Sequence, residues 1–332
     1  MKRLVSFSLV LFAFAVPAIA QTVAQANSGS WVRQKAGTLA WLRSVFFLDH
    51  NRGWAVGSKG TLLRTSDGGV NWIPAAAPTT AIVRDIFFID DQNGWLVCEV
   101  NIYELTKKEQ ARAFLMKTTD GGENWTRIEL KEIDVNSALV RAVFSRGGRG
   151  WAFGENGLIY TTRDFGETWA PLVSPTRRLL LGGFFVDDDR GWIVGAGATI
   201  IQTSDGGETW YQSRLPQVDK TVRFTAASFV DNRLGWAVGS AGSVYHTANG
   251  GRTWQKQESG VDTDLLDVKF VDAREGWAVG TEGTIIHTVD GGLRWTSERS
   301  ETQHPLERVF FTDKTRGWAV GFGGTVVAYL KQ

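Results

Sequence analysis

The chain has 332 residues, with 36 basic and 35 acidic side chains, a formal charge of +1 at neutral pH and a single cysteine. This near-neutral balance argues against general nucleic-acid binding, which needs a concentrated basic surface, and one cysteine excludes an intrachain disulfide. Fifteen tryptophans and 19 phenylalanines indicate a large core that is stabilised by aromatic packing.

The first twenty residues predict a secretory signal peptide. Two basic residues precede a run at 4–16 that is apolar apart from two serines, and residues 18–20 read Ala-Ile-Ala, with small residues at the two positions that matter for a cleavage site. This pattern is typical of an export signal, and the run is too short to span a bilayer comfortably. We therefore expect residues 1–20 to be removed, residues 21–30 to form a short linker, and the protein to be exported to a periplasm, a thylakoid lumen or the medium.

A Gly-Trp dipeptide recurs seven times after the predicted linker. The intervals between successive tryptophans are 41, 56, 41, 44, 41 and 41 residues, and the positions are Trp54, Trp95, Trp151, Trp192, Trp236, Trp277 and Trp318. A period near 41 residues is that of one four-stranded propeller blade. The sequence therefore predicts an all-β fold, a seven-bladed β-propeller of four-stranded antiparallel blades, as a single domain over residues 31–332.

Each repeat contains the signals for strands A, B and C. A phenylalanine stands seven residues before each of these tryptophans, and the apolar segment around it, such as Val45–Leu48, predicts a buried strand A. In six repeats an Asp-x-x-x-Gly turn leads to strand B, which begins at the Gly-Trp dipeptide. A glycine turn then leads to a β-rich strand C such as Thr61–Thr65.

Strand C leads into the most specific motif of the chain, Thr-x-Asp-x-Gly-x-x-Trp. This motif resembles the Asp-box of several propeller families, in which an Asp or Asn side chain accepts hydrogen bonds from the amides just ahead and glycine permits positive φ. Its tryptophan begins strand D. The six predicted structural box residues are Asp67, Asp120, Asp164, Asp205, Asn249 and Asp290.

The last repeat supplies strands A, B and C but no strand D. Trp31 stands 23 residues before Trp54, the interval that separates a box tryptophan from the next Gly-Trp tryptophan at four later junctions. We therefore expect the N-terminal outer strand Trp31–Gln34 to complete the last blade and close the ring, which removes exposed sheet edges. Trp41 is the one tryptophan that falls outside the pattern.

Length variation is confined to the B–C loops and the D–A links, which lie at the same end of the blades. The interval from Gly-Trp to box tryptophan is 18 residues in five blades and 30 in blade 2, which places a 12-residue insertion in Glu99–Ala113. Variable loops on a rigid scaffold are common binding sites, so Tyr103, Lys107, Lys108 and Arg112 are candidate partner contacts. Two alternatives stay open: a tolerated surface insertion, and a short solvated helix over Tyr103–Arg112.

Basic residues also collect where the D–A links enter strand A. These further candidate partner contacts are Arg43, Arg84, Arg141, Arg177, Arg178 and Arg223. Blade 6 interrupts this basic arc with Asp262, Asp264 and Asp267. The pattern predicts docking of an acidic protein loop by complementary charge, and the alternative of ordinary solvated loop charge stays open.

The sequence predicts neither an enzyme nor a cofactor or metal site. Asp-boxes also occur in sialidases, so a glycan-binding or hydrolytic propeller is the alternative function, yet none of the five tyrosines has the surroundings of an activated nucleophile. His246 and His287 share one register with unrelated side chains in other blades, which indicates a tolerant position. An adhesion role in the cell envelope is a third hypothesis.

Two paired motifs, Phe-x-Asp-x-x-x-Gly-Trp-Ala-Val-Gly and Gly-Thr-Ile-Ile-x-Thr-x-Asp-Gly-Gly-x-x-Trp, resemble the photosystem II stability/assembly factor family of cyanobacteria and plastids over Trp31–Leu330. The resemblance implies a non-enzymatic seven-bladed propeller in a thylakoid lumen or an equivalent exported space. It implies binding of a membrane-protein assembly intermediate, such as the new reaction-centre D1 subunit, through an arginine-rich face that Arg43, Arg84 and Arg141 match best. We further expect a monomer that reaches a membrane only through its protein partner.

Overall fold

The computed structural model describes residues 29–76, 78–105, 111–131, 135–145, 147–215 and 219–331. The described residues form 28 strands, which are arranged in seven four-stranded antiparallel sheets around a ring. The fold is the predicted seven-bladed β-propeller. The predicted signal peptide and most of the predicted linker lie outside the described residues.

Strand β1 (Ser30–Lys35) precedes the first complete blade. Blade 1 consists of β2 (Leu42–Phe47), β3 (Gly53–Gly57), β4 (Leu62–Thr65) and β5 (Ile73–Pro74). Blade 2 consists of β6 (Ile82–Phe88), β7 (Gly94–Glu99), β8 (Ala113–Thr118) and β9 (Thr126–Ile128). Blade 3 consists of β10 (Leu139–Phe144), β11 (Gly150–Gly154), β12 (Ile159–Thr162) and β13 (Ala170–Pro171). Blade 4 consists of β14 (Leu180–Phe185), β15 (Gly191–Gly195), β16 (Thr199–Thr203) and β17 (Tyr211–Gln212). Blade 5 consists of β18 (Phe224–Phe229), β19 (Gly235–Gly239), β20 (Val244–Thr247) and β21 (Gln255–Gln257). Blade 6 consists of β22 (Leu265–Phe270), β23 (Gly276–Gly280), β24 (Ile285–Thr288) and β25 (Thr296–Glu298). Blade 7 is β26 (Leu306–Phe311), β27 (Arg316–Gly321) and β28 (Thr325–Leu330) together with β1. Short 3-10 turns lie between strands B and C at Ser58–Gly60, Ile102–Glu104, Glu155–Gly157, Thr281–Gly283 and Phe322–Gly324.

The Gly-Trp tryptophans join neighbouring blades. Each one stacks on the strand-A phenylalanine of the following blade, with ring centroids between 3.5 and 4.4 Å apart. The seven pairs are Trp54–Phe88, Trp95–Phe144, Trp151–Phe185, Trp192–Phe229, Trp236–Phe270, Trp277–Phe311 and Trp318–Phe47. Because buried stacked rings stabilise beyond the area they bury, the repeated tryptophan is an interface residue of the scaffold.

The glycine of each dipeptide is required by the phenylalanine of its own blade. A Cβ atom on Gly53 would lie 2.5 Å from the ring of Phe47, and one on Gly276 would lie 2.6 Å from the ring of Phe270. The phenylalanine, glycine and tryptophan, which have the same spacing in all seven repeats, therefore form one packing unit that recurs in every blade.

Strand β1 is the outer strand of the last blade. It pairs with β28 in antiparallel register, with Trp31 opposite Tyr329. Trp31 also meets Phe311 edge-on at 5.8 Å, as each box tryptophan meets the phenylalanine of its own blade. These contacts complete blade 7, and β26 packs on β2, which joins the last blade to the first.

The propeller has two faces, which are named here by their loops. The box face carries the A–B turns and the Asp-boxes, and the loop face carries the B–C turns and the D–A links. All variation in loop length lies on the loop face.

Candidate functional site

Strand A of every blade carries a β-bulge near the loop face. The register shifts by one residue at the same point in all seven A–B pairs, for example between Leu42 and Ser44. A bulge re-aims side chains and is common beside functional sites. Here Arg43 and Arg84 are the bulged residues of blades 1 and 2, whereas Arg141 comes one position later in blade 3.

Arg43 lies in an aromatic environment at the junction of blades 7 and 1. Its guanidinium carbon lies 3.7 Å from the centroid of Trp41, and its Nη1 is 3.3 Å from Glu307 Oε1. Trp41 Nε1 donates to the same carboxylate oxygen at 2.8 Å. Burial lowers the pKa of Arg43, with a smaller lowering by Arg84, and Glu307 opposes both effects. The guanidinium is therefore an ion-paired, half-buried group beside an indole.

Apolar side chains extend this environment onto the loop face. Phe322 packs edge-on against Trp41 at 5.2 Å, and His304 packs against Phe322 at 5.5 Å. Leu39 is 89% exposed and Phe322 45% exposed. We call Leu39, Trp41, Arg43, His304 and Phe322 the Trp41 patch, which offers a partner apolar contact area beside one cation.

Arg84 and Arg112 hold a buried carboxylate. Arg84 Nε and Arg112 Nη2 each lie 2.5 Å from an oxygen of Glu99, whose side chain is 6% exposed. Arg112 also reaches Glu155 Oε2 at 2.9 Å and the carbonyl oxygen of Asn136 at 2.7 Å. Arg112 thus anchors the blade 2 insertion to blade 3, and Arg84, with 30% of its side chain exposed, keeps a surface on the loop face.

Arg141 lies in the central channel and not on the surface of the loop face. Its Nη1 is 3.5 Å from Asp267 Oδ1 of blade 6, across the ring, and both side chains are buried. Arg308 of blade 7 pairs with Asp85 of blade 2 at the same level. Burial lowers the pKa of Arg141, and the nearby Arg308 adds to the lowering. This network of two arginines and two aspartates links four blades across the channel, and the guanidinium of Arg141 is engaged within it.

The remaining predicted contacts are spread over the loop face. Arg177 and Arg178 are exposed in the link between blades 3 and 4, and Tyr103 is 93% exposed in the blade 2 insertion. Arg223 is exposed and its Nη2 lies 3.1 Å from Asp264 Oδ2, one of the acidic residues expected to interrupt the basic arc. Lys107 and Lys108 lie outside the described residues. Among the described residues, the structure therefore brings Arg43, Arg84 and Arg112 to one side of the face, and Arg177, Arg178 and Arg223 lie in other links.

Sequence reasoning missed the aromatic part of this site. Trp41 falls outside the tryptophan pattern of the repeats, and its register equivalents in other blades are small or unrelated side chains such as Ala138 and Pro305. That mismatch was the available signal. The contacts to Glu307 and Phe322 join residues more than 260 positions apart, and the sequence holds no sign of them.

The boxes of the opposite face share one hydrogen-bond pattern. In blade 1, Thr65 Oγ1 donates to Asp67 Oδ1 at 2.9 Å, and the amide of Asn71 donates to the same oxygen at 2.9 Å. The amide of Gly69 donates to Thr65 Oγ1 at 2.9 Å. The same pattern is found at Asp120, Asp164, Asp205, Asn249 and Asp290.

These bonds hold the box carboxylates ionised. Burial alone would raise the pKa of Asp205, but hydrogen bonds from the hydroxyl and amide of Thr209 and from Thr203 lower it to about 2. Asn249 accepts from the amide of Thr253 at 3.0 Å with a group that does not titrate. The box side chains are thus used within their own turns.

Three side chains of types that could serve in catalysis or metal binding make packing or hydrogen-bond contacts within the scaffold. Tyr160 is buried and donates to the carbonyl oxygen of Lys131 at 2.9 Å, in a structural role. His246 and His287 pack on the rings of Trp236 and Trp277. Within the described ranges, no group of three or more His, Cys, Asp or Glu side chains is placed to hold a metal ion, and no helix is long and apolar enough to cross a membrane.

Comparison with known proteins identifies relatives of the same architecture. The sequence model of the family described as photosynthesis system II assembly factor YCF48 matches residues 72–179, 171–259 and 258–330. The chain is similar to the structure of YCF48 from Cyanidioschyzon merolae, with 20% identity, a TM-score of 0.71 and coverage of 91% of this chain and 98% of that one. It is also similar to a structure titled YCF48 bound to D1 peptide, with 21% identity, a TM-score of 0.74 and coverage of 91% and 97%.

A more distant likeness extends to an enzyme. The GH74 xyloglucanase from Xanthomonas campestris shares 12% identity and a TM-score of 0.70, over 90% of this chain and 53% of that one. At these identities, structural likeness establishes a common fold and carries no activity. No curated protein sequence matches the chain.

Proposed function

Because the chain belongs to the photosystem II assembly factor YCF48 family, we propose that it is an exported, non-enzymatic scaffold that captures a segment of a membrane protein or another exported protein during assembly. The family match is the observation that carries this proposal. A similar propeller bound to a D1 peptide supports a protein partner such as a reaction-centre subunit. The export pattern at residues 1–20 supports the compartment.

We assign partner binding to the loop face, and the Trp41 patch is the reason. The patch combines exposed apolar side chains with Trp41, and tryptophan and arginine are the residue types enriched among binding hot spots. Among the residues that the structure describes, Glu307 alone places a carboxylate at ion-pair distance from Arg43, at 3.3 Å. An acidic side chain of the partner can therefore compete for Arg43 while an apolar neighbour covers Phe322.

Arg84 adds a second cation to this surface. It shares Glu99 with Arg112, so it keeps its position in the absence of a partner. The fitting ligand is a short segment that carries an apolar anchor and an acidic residue. Arg141 is left out of the proposed contact set because its partner is Asp267 inside the channel.

Binding of a labelled D1 peptide, measured by fluorescence anisotropy, tests the proposal. Trp41→Ala is expected to weaken binding by about tenfold or more, the usual effect of removing an aromatic hot spot, and Arg43→Glu is expected to weaken it similarly. Leu293→Ala is the matched control, because Leu293 is 82% exposed on the box face. Unchanged affinity in both loop-face variants would contradict the assigned face, and no binding by the unaltered protein would contradict the D1-like partner.

A further inference from the structure

A polar cleft of about 590 Å³ lies between blades 4 and 5 on the box face. Its volume is in the range of ordinary ligand sites. Three arginines line it, Arg190, Arg233 and Arg252, and no acidic residue does. We call it the blade 4/5 cleft, and it shares no residue with the Trp41 patch.

The three preceding blade junctions are closed by ion pairs at the equivalent place. A glutamate three residues after the box aspartate meets a cation of the preceding blade in each of them. The pairs are Arg64–Glu123, Lys117–Glu167 at 2.5 Å, and Glu208 with Arg163 and Arg149. These ionic contacts cover the junctions between blades 1 and 2, 2 and 3, and 3 and 4.

At the junction between blades 4 and 5, neither the glutamate nor the cation of this ion pair is present at its register position. Arg252 occupies the register of the glutamate, and Gln202 occupies the register of Arg64 and Lys117. The same box has Asn249 where the other five have aspartate. Two negative charges are thus missing and one positive charge is added within a single turn, which leaves the cleft open and basic.

Within the described part of the chain, one of the three arginines has an ion-pair partner. Arg190 pairs with Asp187 at 3.2 Å. Arg233 and Arg252 are exposed, and neither has a carboxylate at ion-pair distance among the residues that the structure describes. They lie on two different loops, the A–B turn and the box of blade 5, with the 60% exposed ring of Tyr211 beside them.

We propose that the blade 4/5 cleft binds a short acidic peptide segment. Guanidinium groups recognise carboxylates through paired, charge-assisted hydrogen bonds, and clusters of arginines are a recurrent mode of acidic-motif recognition. Flexible aspartate or glutamate side chains of one peptide segment can reach both Arg233 and Arg252. The ring of Tyr211 then packs against the aliphatic part of the acidic side chains. A second docking site on the face opposite the Trp41 patch lets the scaffold hold two protein segments at once.

The direct test is binding of a capped, fluorescently labelled hexaglutamate peptide to the full protein by anisotropy. Arg252→Glu restores the residue type of the neighbouring boxes and is expected to weaken binding at least tenfold, because it removes one charge-assisted contact and adds repulsion. Arg294→Glu is the control: it makes the same charge change at an exposed site in the box of blade 6, outside the cleft, and is expected to leave affinity unchanged. Circular dichroism confirms that both variants are folded.

The outcomes separate this site from the loop face. Normal hexaglutamate binding by Trp41→Ala supports an independent cleft. Equal weakening by Arg252→Glu and Arg294→Glu would show general charge attraction and overturn the proposal. Absence of hexaglutamate binding, or binding of a hexagalacturonate oligosaccharide in its place, would overturn the peptide assignment.

Discussion

Replacing Trp31 tests how much the N-terminal strand contributes to the ring. The indole is 4% exposed, meets Phe311 edge-on at 5.8 Å and lies 5.4 Å from Tyr329. Its Nε1 donates to Glu298 Oε2 of blade 6 at 2.8 Å. Truncation of a buried aromatic side chain costs about 3–5 kcal/mol, so Trp31→Ala is expected to lower the free energy of unfolding by about that amount.

Two further variants separate the contributions to this loss of unfolding free energy. Trp31→Phe keeps one aromatic ring but removes the bond to Glu298 and part of the buried ring volume, and we expect an intermediate loss of about 1–3 kcal/mol. Val32 is the adjacent residue of the same strand and is 48% exposed, so Val32→Ala is expected to change stability by no more than about 0.5 kcal/mol. Urea unfolding followed by far-UV circular dichroism measures all three. The packing argument for ring closure would be refuted if Trp31→Ala were as stable as Val32→Ala.

Three further results are expected. Asp205→Asn should make stability less sensitive to acid, because the pKa of Asp205 is lowered from 3.8 to about 2 in the folded state. The carboxylate therefore stabilises the fold above about pH 4, and that contribution is lost as the pH falls towards 2. Asn249 shows that an amide fits the turn, and an unchanged acid-unfolding midpoint would contradict the predicted contribution of the Asp205 carboxylate. Asp85→Asn should destabilise the protein by about 3–5 kcal/mol in urea unfolding, because it removes the carboxylate that pairs directly with the buried Arg308. A change under about 1 kcal/mol would show that the channel pair is dispensable. Cys98 is buried, which raises the pKa of its thiol to about 12, so iodoacetamide at pH 8 should modify it only after unfolding, and rapid labelling of the native protein would contradict its burial.

The repeated part of the fold was readable from the sequence because it depends on local spacing. The Gly-Trp dipeptides, the phenylalanine seven residues earlier and the boxes each act within one blade or between adjacent blades. The interval from Trp31 to Trp54 predicted the outer strand of blade 7, and its pairing opposite Tyr329 is what the structure contains.

The candidate site was only partly readable because its charges are set by contacts that are distant in sequence. Arg43 and Arg84 stand four residues before the phenylalanine of strand A, whereas Arg141 stands three residues before it, so the spacing indicated that they need not all point the same way. The bulge puts the first two on the loop face and Arg141 one position later in the channel. The glutamates and aspartates that pair with these arginines come from other blades or from the far end of strand B. Spacing alone held no information about which arginine meets which carboxylate.

The most direct test of the account is site-specific photocrosslinking in the living source organism. A photoreactive residue placed at Leu39, 89% exposed in the Trp41 patch, is compared with one at Leu293, 82% exposed on the box face away from the blade 4/5 cleft. We expect adducts with a membrane or exported protein from Leu39, which disappear when Trp41→Ala is added, and none of these adducts from Leu293. The same adducts from both positions, or from neither, would contradict partner capture on the loop face.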